Sequence, residues 1–313
     1  MRNVMKAATL ESRFPLMAVE HGCIISKDAD ITVAYRMELP EVFTLTRAEY
    51  EAMHSTWVKA VKVLPEYSIV HKQDIFIEES YRPEACGEER SFLSRSFERH
   101  FNERPYLKHT CYLFLTRTTK EHSRTTSSFN ALTRGFIIPR EMRDKEAVAR
   151  FLECCGQFER IVNDSGLVRM ERLADGEITG TGTSAGIIEK YLSLSQEGCT
   201  CLQDITIGAG EMKIGDSRLC LHTLSDPEDL PSAVGTDSRY ERLSTDRSDC
   251  RLSFAAPIGI LLTCNHIVNQ YVFIDSPAET LQKFEQTARN MHSLSRYSRS
   301  NQINKEWVRY VAV

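Results

Sequence analysis

The chain has 313 residues, 42% of them hydrophobic and 26% charged, with a formal net charge of −4 and a pI near 6.2. A chain of this length buries roughly 75% of its unfolded surface and needs no disulfide or metal staple to fold. The charge balance excludes a nucleic-acid footprint spread over the whole surface, and no run approaches 18 uninterrupted apolar residues, so no membrane-spanning helix is expected.

Residues 1–22, MRNVMKAATLESRFPLMAVEHG, lack a compact apolar core followed by a small-residue cleavage site, so no signal peptide is expected. The ten cysteines then read as reduced, cytosolic thiols. Residues 14–39 predict a β-hairpin. Ile31, Val33, Tyr35, Met37 and Leu39 alternate with Thr32, Ala34, Arg36 and Glu38, the period of a half-buried strand, and residues 27–30 supply the turn. Thr46-x-x-Glu49 is a capping box; Tyr50, Met53, Trp57, Val61 and Leu64 carry the helix behind it as far as Pro65. A strand over 67–79, a helix over 91–104 with Leu93, Phe97 and Phe101 on one face, and a central strand at 110–116, apolar on both sides, complete a β-β-α-β-α-β first half. The polar run 117–130 reads as a long loop or a module boundary.

The second half opens with a helix capped by Asp144, with Val148, Phe151, Leu152, Cys155, Phe158 and Ile161 along one face and Gly166 just past its end. A strand over 167–173 and a helix over 187–196 follow, then short strands near 201–208, 211–215 and 218–224, with Gly215-Asp216 as a turn. Residues 225–250 form a charged loop, and RLSFA, IGILLTC and NQYVFID supply strands between 251 and 274. The last helix opens at the capping box Ser276-Pro277-Ala278-Glu279 and carries an apolar stripe of Leu281, Phe284, Ala288, Met291 and Leu294. Interleaved helices and frequent hairpins predict an α+β fold: mixed, largely antiparallel sheets with helices packed on them. The expected organisation is an N-terminal module over 1–130, a second packed on it over 131–275, and a helix with a connector over 276–313.

Residues 176–190, GEITGTGTSAGIIEK, offer three active-site patterns. Gly182-x-Ser184-x-Gly186 fits a serine-hydrolase elbow, with His222, His266 and His292 downstream, but an elbow needs a buried strand leading into the serine and residues 174–182 are too polar. Gly180-x-Gly182-x-x-Ala185 fits a loose dinucleotide fingerprint with Asp204 as the distant acid, yet it too lacks its strand. A phosphate loop needs lysine directly after the last glycine, where Ile187 stands; Lys190 falls a helical turn later. The remaining reading is a mobile approach to a helix, with Thr183 or Ser184 as N-cap.

Cys220-x-His222 and Cys264-x-His266 would each project to one face if they lie on strands, and four such ligands can hold zinc tetrahedrally. Structural zinc sites come more often from closely spaced cysteines in turns, and buried cysteine is a common core residue. Cys199-x-Cys201 and Cys154-Cys155 are weaker, with Cys155 expected in the core. Glu78-Glu79 and Glu88-Glu89 read as solvated surface, since acid–base work needs one carboxyl buried. Residues 293–310, SLSRYSRSNQINKEWVRY, mix basic and aromatic side chains; they suit contact with nucleic acid or acidic lipid, or an exposed helix or connector. No catalytic, cofactor-binding or metal-ligating residue is assigned from these patterns.

Longer stretches carry a resemblance: residues 1–32, SFLSRSFERHFNERPYLKHTCYLFLT (91–116), GQFERIVNDSGLVRMERL (156–173), LCLHTLSDPEDLP (219–231), STDRSDCRLSFAAPIGILLTCNHIVNQYVFID (244–275) and SLSRYSRSNQIN (293–304). Over essentially its whole length the chain resembles the N-terminal region of the TraG-type ATPases of conjugative transposons, within the VirB-type assembly ATPases of type IV secretion. The resemblance implies that a RecA-like motor with a Walker A loop, binding ATP and magnesium, would follow where this sequence stops at Val313. No catalytic residue of the family falls on a position here. It further implies a non-catalytic assembly and docking region in a DNA-transfer machine, peripheral on the cytoplasmic face of the bacterial inner membrane. The partners implied are inner-membrane components of the conjugation channel, the motor domain and further copies of the chain, without direct nucleic-acid binding. The alternative is a stand-alone serine hydrolase using Ser184.

Overall fold

The computed structural model describes residues 14–41, 44–81, 91–119, 144–181, 184–193, 204–208, 210–224, 234–253 and 256–297. In chain order the elements are β1 (Leu16–Glu20), β2 (Cys23–Ser26), β3 (Ile31–Glu38), α1 (Arg47–Val61), β4 (Ser68–Glu79), α2 (Phe92–Asn102) and β5 (Tyr106–Arg117). They continue with α3 (Lys145–Asp164), β6 (Arg169–Arg172), α4 (Asp175–Thr179), α5 (Ile187–Ser193), β7 (Ile205–Ile207), β8 (Met212–Ile214) and β9 (Ser217–Leu219). The last are β10 (Ser238–Arg239), β11 (Arg251–Leu252), α6 (Ala256–Ile260), β12 (His266–Phe273) and α7 (Pro277–Tyr297).

The fold is α+β, and every strand pairing is antiparallel. Seven strands form the main sheet in the order β1-β2-β3-β5-β4-β12, with β6 also paired to β3. β5, the apolar strand expected at the centre, lies between β3 and β4. The expected boundary between residues 130 and 131 lies outside the described residues, and β6 and β12, from beyond it, join the sheet that β1 to β5 begin.

The sheet is covered on both faces. On one, Val33, Tyr35, Val70, Leu113 and Leu115 are buried against α1 and α3, which contribute Ala60, Phe151, Cys155, Phe158 and Val162; Trp57 meets Phe158 edge-on at 5.6 Å. On the other, Ile24, Ala34, Ile75 and Tyr112 are buried against Ile178 of α4 and Ile187 of α5. Strand alternation makes this division, because successive side chains point to opposite faces. The caps stand where their residues predict. Thr46 accepts from the Glu49 amide at 3.3 Å and the Glu49 carboxylate accepts from the Thr46 amide at 2.7 Å. Asp144 accepts from the Glu146 amide at 3.0 Å, and Gly166 adopts φ +69° after α3.

Three expectations differ from the structure. The predicted hairpin is a three-stranded meander, because His21 (φ +55°) and Gly22 (φ +69°) both take left-handed conformations and turn the chain between β1 and β2, the geometry of a tight hairpin turn. IGILLTC is not a strand: α6 takes up Ala256–Ile260, and regular pairing resumes only at His266. Its apolar run is as compatible with a helix as with a strand, which periodicity alone does not separate. The short strands at 201–208 and 218–224 shrink to Ile205–Ile207 and Ser217–Leu219.

Candidate docking surface

α2 is an amphipathic helix whose apolar side is exposed. Ser91 caps it, its side chain accepting from the Ser94 amide at 3.2 Å. None of its residues is buried, and no other helix or strand packs along it among the described residues. Phe92, Leu93, Phe97 and Phe101 keep 75%, 77%, 61% and 42% of their surface in water. Phe97 and Phe101 touch each other, ring centroids 4.5 Å apart, and Tyr81 meets Phe101 at 6.3 Å. Exposed apolar side chains of this bulk, where they form a patch, are often functional. The polar side holds Arg95, Glu98, Arg99 and Asn102, with Arg99 paired to Glu103 at 2.8 Å.

The position of α2 follows from the register of the strands it connects. β4 and β5 pair from Ser68↔Arg117 out to Glu79↔Tyr106. β3 accompanies β5 only over Cys111–Arg117, and β12 accompanies β4 only as far as Phe76. The last turns of the β4–β5 hairpin therefore extend past both neighbours, and α2 belongs to the connection at that tip. Lys108 pairs with Glu79 there at 3.1 Å, and the Tyr106 hydroxyl donates to Glu79 at 3.3 Å.

A second exposed apolar strip lies along β12, the strand at the end of the sheet order. Tyr271, Val272 and Phe273 are exposed, and β12 contains no lysine, arginine, carboxylate or proline, the devices by which sheet edges are usually blunted. Ring stacking ties it to its neighbours on both faces of the sheet. Tyr271 stacks on His71 at 4.2 Å, His71 stacks on Phe114 at 5.1 Å, and His266 stacks on Phe76 at 4.5 Å.

Beneath this edge, on the face shared with α1 and α3, lies a polar cluster that the sequence patterns did not reveal. Asp74 accepts from Lys72 and, at 2.9 Å, from His109 Nε2, and Cys111 stands opposite it on the paired strand. Burial by itself would raise the Asp74 pKa; the His109 hydrogen bond and the Lys72 charge overcome it and hold the carboxyl at about 2. Burial pushes the Cys111 thiol up, away from the thiolate a nucleophile needs. The signal was Lys72-x-Asp74 on one strand and His109-x-Cys111 on another, but only the pairing Asp74↔Cys111 and Phe76↔His109 brings the two together.

Of the glycine stretch, residues 176–181 and 184–190 are described, and Gly182 and Thr183 lie outside the described residues. α4 precedes it where an elbow would need a strand, and Gly180 follows at φ +91°. Thr181 and Ser184 pair through their backbones and their hydroxyls lie 2.8 Å apart. The N-cap of α5 is Gly186 rather than Ser184: Lys190 N donates to Gly186 O at 2.9 Å and the Glu189 carboxylate accepts from Gly186 N at 3.0 Å.

The C-x-H pairs are not drawn into one site. The His266 ring nitrogens meet the Cys264 and Gly259 carbonyls at 2.7 and 2.9 Å, while Cys220 and His222 lie exposed beyond β9. Among the described residues no three His, Cys, Asp or Glu side chains are grouped to hold a metal ion. Cys155 is buried in the core as expected, its thiol pushed up by burial to about 12. Cys199-x-Cys201, Glu88-Glu89 and residues 298–313 lie outside the described residues. No helix among the described residues is long and apolar enough to cross a membrane.

Residues 3–55, the span from the N-terminal region through β1–β3 into α1, match a family model described as "Domain of unknown function, B. Theta Gene description (DUF3875)". No curated protein matches the chain.

Proposed function

We propose that this chain is the non-catalytic assembly and docking region of a conjugative DNA-transfer ATPase of the type IV secretion kind. It would bind inner-membrane components of the conjugation channel from the cytoplasmic face, while a separate motor domain handles ATP and magnesium. The observation that carries this reading is the unpartnered apolar side of α2, held at the tip of the β4–β5 hairpin and exposed from end to end. A monomer gains nothing by leaving three phenylalanines and a leucine in water, so the patch fits a surface that another component covers. The resemblance of the long stretches over 91–116 and 244–275 to the TraG-type family supports the identity of the machine.

The reading is tested by capture. Purified channel inner-membrane proteins, solubilised in detergent, are passed over immobilised full-length chain. Saturable retention of at least one supports the proposal, and retention of none counts against it. Calorimetric titration with ATP provides the control: micromolar binding to this chain would contradict a region that leaves nucleotide to the motor.

A further inference from the structure

We propose that two copies of this chain associate through β12, strand to strand and antiparallel, about a two-fold axis at Gln270. The surface is separate from α2, so the docking reading stands or falls without it.

The backbone sets the register. Ile274 N donates to Ser68 O at 2.9 Å, and antiparallel bonding to one neighbour uses every second residue. From His266 to Val272 the even-numbered residues therefore turn their N–H and C=O groups toward β4, and Ile267, Asn269, Tyr271 and Phe273 turn theirs away from it. Among the described residues no strand pairs with that outer side. α6 packs on the sheet face, where a Cβ on Gly259 would stand 3.0 Å from the Phe76 ring of β4 and 4.0 Å from Val268.

The two ends of the sheet differ. β1, at the far end, has five residues and carries Glu20, and its register shifts between Leu16 and Ala18. A short strand, a bulge and a charge all oppose the addition of another strand. β12 has eight residues, pairs with β4 without a break in register and carries no such device. A long uncharged edge recruits further strands. A two-fold pairing closes it, because each copy covers the other's edge.

The side chains of β12 suit their own copy. With the axis at Gln270, Ile267 of each copy stands opposite Phe273 of the other, and Val268 opposite Val272. Asn269 meets Tyr271, and no position sets like charges against each other. The exposed Val272 and Phe273 gain apolar neighbours, and every outward N–H and C=O from Ile267 to Phe273 gains a backbone partner. An axis at Asn269 or Tyr271 would leave one end of the strand without an opposite residue. The stack of Tyr271 on His71 at 4.2 Å holds the edge in place before a partner arrives, so pairing requires little ordering.

The test is sedimentation equilibrium of the full-length chain over a concentration series. The wild type is expected to pass from monomer to dimer. Gln270→Lys and Gln270→Glu each set like charges face to face across the axis, and each should weaken the dimer by about tenfold or more. Gln270 is half-buried on the edge strand, so both variants should melt at the wild-type temperature when dilute enough to be monomeric. Mixed in equal amounts, the two variants should dimerise at least as tightly as the wild type, because opposite charges then meet. A wild type that stays monomeric up to its highest soluble concentration overturns the proposal, as does a dimer that neither variant weakens. Two weakened variants whose mixture stays monomeric overturn the pairing about Gln270. Slow amide exchange at Ile267, Asn269, Tyr271 and Phe273 that arises only on adding channel protein assigns the edge to a strand of another chain and equally overturns it.

Discussion

Nε2 of His71 donates to Oδ1 of Asn269 at 2.9 Å, joining β4 to β12 across 198 residues of sequence. The same oxygen accepts from Gln73 at 3.0 Å, and the imidazole is held between the rings of Phe114 and Tyr271. This is how the edge strand is fastened: by stacking and one shared amide oxygen beside the backbone ladder, with no charge involved. Burial lowers the His71 pKa below its ordinary value, and the Asn269 hydrogen bond only partly opposes that.

A pH dependence follows from that shift. The folded state binds the His71 proton less readily than the unfolded chain, so the contribution is fully present above the unfolded value of about 6.5 and is lost as pH falls below it. The denaturation midpoint should drop between pH 7 and pH 5, and amide exchange in β12, corrected for intrinsic rates, should quicken. His71→Phe, which keeps the stack, should flatten the pH dependence in that window. An unchanged slope in this variant would remove His71 as its source.

Asp74 acts in a lower window. Its carboxyl is held at about 2 against the ordinary 3.8, so its stabilising contribution is present above about pH 4 and is lost as pH falls toward 2. The shift corresponds to about 2 kcal/mol. Asp74→Asn should cost a similar amount at pH 7, because Lys72 keeps its charge after its partner is gone. The variant should lose less stability than wild type between pH 4 and pH 2. Urea titrations at these pH values measure both effects.

The parts of the fold that were legible in the sequence are those fixed by local chemistry. The Thr46–Glu49 capping box, the Asp144 cap, the Gly215 turn and the alternation of β3 depend on residues a few positions apart. The His21-Gly22 turn was missed because histidine in a left-handed conformation is not a habitual turn signal. α6 was missed because IGILLTC has no period to distinguish it. The amphipathic face of α2 was legible, but its exposure was not. The same stripe of Leu93, Phe97 and Phe101 would suit a core helix, and only the register of β4 with β5 places it at a tip. The Asp74–His109–Cys111 cluster depends likewise on strand pairing.

Among the described glycines, Gly186 is the one with the least room for a side chain. A Cβ built there would run into the Gly180 amide nitrogen and stand 2.5 Å from the Ile178 carbonyl oxygen. Neither is the end of a flexible side chain, so the backbone itself must move. Gly186→Ala should cost about 2–4 kcal/mol and loosen the packing of Ile178 and Ile187 against the sheet. Gly156→Ala is the control: its Cβ would meet nothing within 4 Å, and in the interior of α3 the change should stabilise by about 0.5–1 kcal/mol. Thermal melts of the two variants should move in opposite directions.

Ser184 decides between a loop and an active site. A hydrolase serine stands on a strained turn fed by a strand and gives its proton to a histidine. Here α4 precedes it, and its hydroxyl lies 2.8 Å from that of Thr181, two residues before Thr183 and across a closed backbone pair. The hydroxyl is thus part of the turn's own hydrogen bonding. A fluorophosphonate probe should leave the wild-type chain unlabelled. Ser184→Ala should cost no more than about 1 kcal/mol, the net worth of one exposed hydrogen bond, and should leave capture of channel proteins unchanged. Stoichiometric labelling that disappears in Ser184→Ala would instead establish a nucleophile and displace the docking reading.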